Sequence, residues 1–153
     1  MGLTHLDDEG NARMVDVGEK PLTRREAVAE GHLSCSNEAF EAAIRGTKKG
    51  NVLAIAQVAG IQGAKRTSDL VPLCHPLPLD GIDVEVTASE GQIRVRASVR
   101  TTWRTGVEME ALCAVSAALL CAYDMLKAVD KTMVIGGVRL VEKRGGRSGD
   151  FRA

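Results

Sequence analysis

Between residues 82 and 99 apolar and polar positions alternate in two successive runs. Ile82, Val84, Val86 and Ala88 alternate with Asp83, Glu85 and Thr87; Ile93, Val95, Ala97 and Val99 then alternate with Arg94, Arg96 and Arg100. A period of two is that of a strand with one face buried. Glu90-Gly91 between the runs predicts a two-residue hairpin turn. That register puts both apolar rows on one face and sets Glu85 opposite Arg96 on the other. Elsewhere the period lengthens. Ser36 is placed to cap a helix over Asn37–Arg45 that stops at Gly46. A second helix is predicted over residues 51–66, apolar almost throughout as far as Ile61, with Gly60 and Gly63 three apart. Glycines weaken a helix, so another backbone is expected to pack closely there, and the helix is expected to be buried.

Residues 107–129 read as a third, longer helix, on one side of which fall Glu110, Ala114, Ala117, Cys121 and Asp124. This stripe of small residues, with a carboxylate at each end, favours a close helix–helix contact over space for a ligand or a second subunit. Residues 23–35 read as extended, and a last strand is expected near residues 133–141. No repeat is visible, so one α+β domain spanning residues 1–153 is expected, an antiparallel sheet against helices.

Composition narrows the function. Lys plus Arg total 20, as do Asp plus Glu, so there is no surplus of cations to neutralise duplex phosphates. One Trp, one Tyr and two Phe provide no platform for stacking single-stranded bases. Neither nucleic-acid class is expected, though a local anion site is still allowed. The acidic N-terminus lacks the pattern of a signal peptide, and Leu6 stands where myristoylation at Gly2 needs Ser or Thr. The longest nearly apolar run, residues 111–123, has 13 residues and is too short to span a bilayer. Cys35, Cys74, Cys113 and Cys121 form no CxxC pair. On one helix Cys113 and Cys121 would lie ~12 Å apart, beyond bridging distance. Free thiols point to a reducing compartment and a cytoplasmic location.

Chemistry concentrates in a few places. In Val71-Pro-Leu-Cys-His-Pro-Leu-Pro, Pro76 keeps His75 out of helix, so a stiff extended segment presents the imidazole. Adjacent Cys74 and His75 lack zinc spacing, and no metal site is expected. Asp124 and Lys127, three apart on the long helix, form either a surface ion pair or a partly buried proton-transfer pair with a lowered lysine pKa. Spacing leaves both open. Glu108 and Glu110 in the first helical turn suit the helix dipole, and a carboxylate there also suits the hydrogen-bonding edge of guanine. Lys48-Lys49-Gly50, Lys65-Arg66 and Lys143-Arg-Gly-Gly-Arg-Ser-Gly are cationic spots, each by default a solvated charge run. Together they fit a polyanionic small molecule.

Seven segments in order along the chain carry a resemblance. They are Met14-Val-Asp-Val, Lys49-Gly50, Ala59-Gly-Ile-Gln-Gly-Ala-Lys-Arg-Thr, Leu70-Val-Pro-Leu-Cys-His-Pro-Leu, Thr105-Gly-Val-Glu-Met-Glu-Ala-Leu, Tyr123-Asp-Met-Leu-Lys-Ala-Val and Gly145-Gly-Arg-Ser-Gly. In these the chain resembles the cyclic pyranopterin monophosphate synthase (MoaC) family of molybdenum cofactor biosynthesis. The resemblance implies a lyase that converts a cyclised dihydro-GTP to cyclic pyranopterin monophosphate with release of diphosphate. It implies a ferredoxin-like fold and a homohexamer built as a trimer of dimers, with the site at a dimer interface. Asp124 and Lys127 match the catalytic pair, Lys127 as proton donor, with Lys49 and His75 beside them. Leu73, Cys74 and His75 match one substrate-binding stretch, and Glu108, Met109 and Glu110 another. Arg25, Lys49, Lys65 and Lys143 match basic positions around the triphosphate. No redox cofactor is implied, and whether Mg²⁺ accompanies the triphosphate is left open. Arg104 and Arg147 replace lysines common among relatives, which keeps charge but changes geometry. The rival reading is a non-catalytic nucleotide-binding or scaffold protein. A site shared between subunits is expected to be restored by mixing inactive variants, for example Lys127→Ala with Lys49→Ala.

Overall fold

The computed structural model describes residues 5–153; the reading of Gly2 above lies outside the described residues. The chain runs β1 (Thr23–Ser34), α1 (Asn37–Arg45), α2 (Val52–Lys65), α3 (Thr67–Leu70), β2 (Gly81–Ser89), β3 (Gln92–Trp103), α4 (Glu108–Leu126), β4 (Val134–Arg144) and β5 (Phe151–Arg152). All strand pairs are antiparallel, in the order β2-β3-β1-β4-β5. Without the two-residue β5 this is a βαββαβ path in which the first and third strands lie centrally, the ferredoxin-like arrangement expected.

The hairpin has the expected register. Ile82 pairs with Val99, Val84 with Ala97 and Glu85 with Arg96. Glu90 (φ 54°) and Gly91 (φ 73°) both take positive φ, as a tight turn between twisted strands demands. The ion pair on the polar face differs, however. Arg96 reaches Glu30 of β1 at 3.6 Å, and Arg139 of β4 also binds Glu30. The central strand thus supplies a carboxylate to neighbours on both sides.

Ser36 caps α1, its side chain accepting from Ala39 N, and Gly46 ends it at φ 90°. Asn51 caps α2 in the same manner through Ala54 N. The small-residue stripe is a helix contact, as its spacing favoured. A Cβ on Gly63 would lie 2.5 Å from Ala117 Cβ and 2.8 Å from Cys113 O. Only one side of α2 is buried, contrary to expectation: Ile55 is 39% and Val58 64% exposed. Val115, Leu119 and Leu126 of α4 fill the core against Val95, Val99 and Leu33 of the sheet.

Helix α4 stops at Leu126, three residues before the predicted end, leaving Lys127 as its C-cap. Its 19 residues are long and apolar enough to cross a membrane by length and composition, which the 13-residue run did not indicate. Yet 56% of its most apolar window is buried inside this domain, as befits a core helix. Strand β4 extends past its predicted end, and α3 and β5 had no clear signal in the pattern.

Candidate functional site

The expected site residues gather at opposite ends of α4. At its N-terminal end, the proline-rich segment after α3 lies against the first helical turn. Pro78 O accepts from the buried Thr101 Oγ1 at 2.5 Å, which ties this segment to β3. Leu73, Cys74, His75, Glu108, Met109 and Glu110 line a cleft of about 280 Å³. His5, Val15, Val17 and Lys20 form part of its wall. On the far side of His75 and Glu110 is a smaller pocket of about 60 Å³, which Lys65 helps to line. His75 and Glu110 therefore stand between two openings.

Glu110 is the unusual carboxylate. It is 4% exposed, and burial pushes its pKa up to about 7, partly opposed by its own backbone N–H and reinforced by the charge of Glu108. Burial also raises the Cys74 thiol pKa, with Glu110 and Cys113 adding to the effect. That makes Cys74 a poor nucleophile at neutral pH.

Besides Lys65, two more of the expected cations lie near this end. Lys143 Nζ is 3.1 Å from Glu108 Oε1 and 2.5 Å from Ser148 Oγ, so the tail is fastened to the start of α4. Arg25 donates from Nε to Trp103 O and from Nη2 to Arg104 O, at 3.1 and 3.3 Å. Its guanidinium occupies space that any side chain at Gly146 would take, and Gly146 has φ 86°. With Lys20, Thr23 and Arg147, Arg25 lines a further cleft of about 500 Å³. Lys20 lines this cleft and the one around His75. Sequence reasoning missed Lys20 and His5 as wall residues; Arg147 stood in the cationic tail already singled out. Val15 and Val17 lay within a segment carrying the resemblance, whereas nothing around Lys20 marked it out.

Asp124, Lys127 and Lys49 meet at the other end of α4. Lys127 Nζ lies 2.5 Å from Asp124 Oδ1, and Lys49 Nζ lies 2.9 Å from Oδ2 and 3.2 Å from Asp124 O. All three side chains are about half exposed, at 52–55%. The buried proton-transfer pair with a lowered lysine pKa is therefore not what this chain forms by itself. Lys127 is raised by its hydrogen bond and ion pair with Asp124. Lys127 and then Lys49 hold Asp124 down to about 2. The carboxylate is ionised and Lys127 protonated at neutral pH.

One chain does not bring the two clusters together. Glu110 and Asp124 are fourteen positions apart on α4, about 21 Å along the axis at 1.5 Å per residue. Among the described residues, no group of three or more His, Cys, Asp or Glu side chains is arranged to hold a metal ion. A depression of about 450 Å³ on the open face of the sheet contains none of the expected residues, and its Arg96 and Arg139 are already paired with Glu30.

Comparison with known proteins assigns the chain to one family. Residues 14–146 match the model of the MoaC family. The chain is 57% identical to the cyclic pyranopterin monophosphate synthase of Pelotomaculum thermopropionicum, over 98% of this chain and 90% of that protein. It is 56% identical to the protein of the same name from Thermomicrobium roseum, over 98% and 92%. The Helicobacter pylori protein of that name is 50% identical over 100% of this chain and 99% of its own. With the family model covering 14–146 and identity extending along nearly the full length, the chain belongs to the MoaC family.

Proposed function

We propose that this chain is a cyclic pyranopterin monophosphate synthase, converting a cyclised dihydro-GTP into cyclic pyranopterin monophosphate and diphosphate. The observation that carries the reading is identity of 50–57%, over nearly the whole chain, to proteins bearing that name. The chemistry at each end of α4 is consistent with it. A carboxyl that titrates near neutrality, Glu110, suits the proton transfers of ring opening and pterin closure beside His75. Protonated Lys127 serves as proton donor, and ionised Asp124 holds both lysines in place. In the phosphoryl step a sugar hydroxyl oxygen attacks the α-phosphorus. The bond to the bridging oxygen breaks, the hydroxyl proton passes to a base, and diphosphate leaves. Arg25, Lys49, Lys65 and Lys143 neutralise the phosphates. The reaction requires no redox cofactor, and any Mg²⁺ arrives on the triphosphate.

Both clusters act on one small substrate in this reading, so the site is built from the N-terminal end of α4 in one copy and the C-terminal end in another. Exposed Ile55 and Val58 on α2 and Leu120 on α4 support a covering partner. We place the chain in a homohexamer, a trimer of dimers, in the cytoplasm. Incubating the purified protein with the cyclised dihydro-GTP, then measuring oxidised pterin fluorescence and diphosphate, tests the reaction. Tight binding without release of diphosphate would favour the non-catalytic nucleotide-binding or scaffold reading.

A further inference from the structure

Asp130 is 8% exposed, and the segments that carried the resemblance do not include it. Its carboxylate accepts three hydrogen bonds. Oδ2 accepts from Ser36 N at 2.8 Å; Oδ1 accepts from Thr132 N at 2.8 Å and from Thr132 Oγ1 at 2.7 Å. Ser36 begins α1, whose far end leads through Gly46 into the turn that carries Lys49. Asp130 itself closes the turn after α4, its N–H bonded to Leu126 O at 3.1 Å, three residues beyond Lys127. Tyr123, next to Asp124, donates to Lys131 O at 3.0 Å and holds the other side of that turn. One buried carboxylate thus joins the start of the α1 segment to the end of α4.

The exposed ion pairs lack such an anchor of their own. With all three side chains about half in solvent, burial does not hold Lys49 and Lys127 on Asp124. Their geometry depends on where the two backbones stand. We propose that Asp130 is a positioning residue of the reaction: through Ser36 N–H and Thr132 it sets the spacing between the Lys49 turn and the Asp124–Lys127 end of α4. This rests on the proposed role of the lysines, and the test keeps the two readings apart.

Asp130→Asn replaces one acceptor oxygen with a donor, so either Ser36 N–H or Thr132 faces a repelling group. A misplacement on the ångström scale costs about 10- to 100-fold in rate. We expect kcat to fall by about that much and KM to rise by a smaller factor, since Asp130 does not touch substrate and three of the four phosphate-facing cations keep their places. The Asp124 carboxyl, followed by carbon NMR as pH is lowered from about 5 towards 2, should titrate higher than in the unaltered protein because Lys49 no longer sits squarely on it. Ser36→Ala is the control: it removes the side-chain cap on α1 and a minor contact of the hydroxyl with Asp130, but leaves the backbone bond that carries the proposed positioning. It should lower the melting temperature while leaving kcat and the Asp124 titration unchanged. If Asp130→Asn fails to fold, Thr132→Val, which deletes the Oγ1 bond alone, carries the same two readouts. An unchanged Asp124 titration, or a loss of kcat that Ser36→Ala reproduces, overturns the proposal. Because the titration needs no turnover, it decides the positioning role even if the unaltered protein releases no diphosphate.

Discussion

Lys127 Nζ lies 2.5 Å from Asp124 Oδ1, one turn apart at the solvent-exposed end of α4. Such exposed pairs add little to stability. Lys127→Ala should leave the melting temperature nearly unchanged and abolish turnover, with most substrate affinity retained. Asp124→Asn should lose at least ~100-fold in kcat, the lower end for general acid–base groups. Wild-type rates in either variant would reduce the pair to a surface ion pair. The Asp124 carboxyl is depressed to about 2 in the fold, so its ion pairs persist from neutrality down and are lost only as pH falls through that value. An acidic limb in the rate near neutral pH must come from another group.

Glu110 is the candidate for that limb. Its folded pKa of about 7 lies above the unfolded value of 4.5, so the folded chain holds the proton more tightly. Stability from this group is full below the unfolded value, declines as pH rises through the window and stays reduced above it. Glu110→Gln should therefore raise stability at pH 8 by up to about 3 kcal/mol and change it little at pH 4. Urea unfolding at the two pH values measures this; equal shifts at both would place the effect in packing instead.

Gly63→Ala should destabilise the fold by about 1–3 kcal/mol, the usual cost of overpacking. Its new methyl would meet Ala117 Cβ and a backbone oxygen, neither able to rotate away. Chemical denaturation gives the value. No loss would mean that α2 and α4 can separate without penalty.

Cys74→Ser should keep measurable turnover. Burial raises the thiol pKa, so the thiolate is scarce, and the proposed chemistry has no covalent step. Mass spectrometry of the protein after turnover should reveal no adduct on Cys74; finding one would reverse its role.

Subunit mixing tests the divided site. Lys49 and Lys127 bind the same carboxylate in one chain, so Lys127→Ala with Lys49→Ala is the wrong pair to mix. His75→Ala with Lys127→Ala carries its lesions at opposite ends of α4. Each variant alone should be inactive, and the exchanged mixture should recover part of wild-type turnover. No recovery after demonstrated exchange, or an active monomer by sedimentation, would mean one chain suffices.

Local pattern was enough for much of the fold. Alternation defined both hairpin strands, and Ser36 and Gly46 bounded α1 because caps act on their own helix. Even the separation of the two clusters was implicit, since fourteen helical positions fix a distance once the helix is accepted. Burial of α2 was misjudged for a physical reason: a helix apolar on most sides has the same pattern whether its own domain or another surface covers it. Contacts joining distant segments had no local signature. Lys49 reaches Asp124 across 75 positions, and Ser36 reaches Asp130 across 94. The resemblance supplied the lysines and Asp124 but not the carboxylate behind them.

The glycine contact between α2 and α4 also bears on how the two ends of α4 move. At Gly60 and Gly63 there is no cushion of side chains between the helices; backbone and methyl groups stop each other directly. Interfaces this tight transmit displacement instead of absorbing it. A shift imposed at Glu110 would travel along α4 to Asp124 with little loss. In the divided site proposed above, substrate gripped at one end of the helix in one copy would then be sensed at the far end, which that reading assigns to a second site.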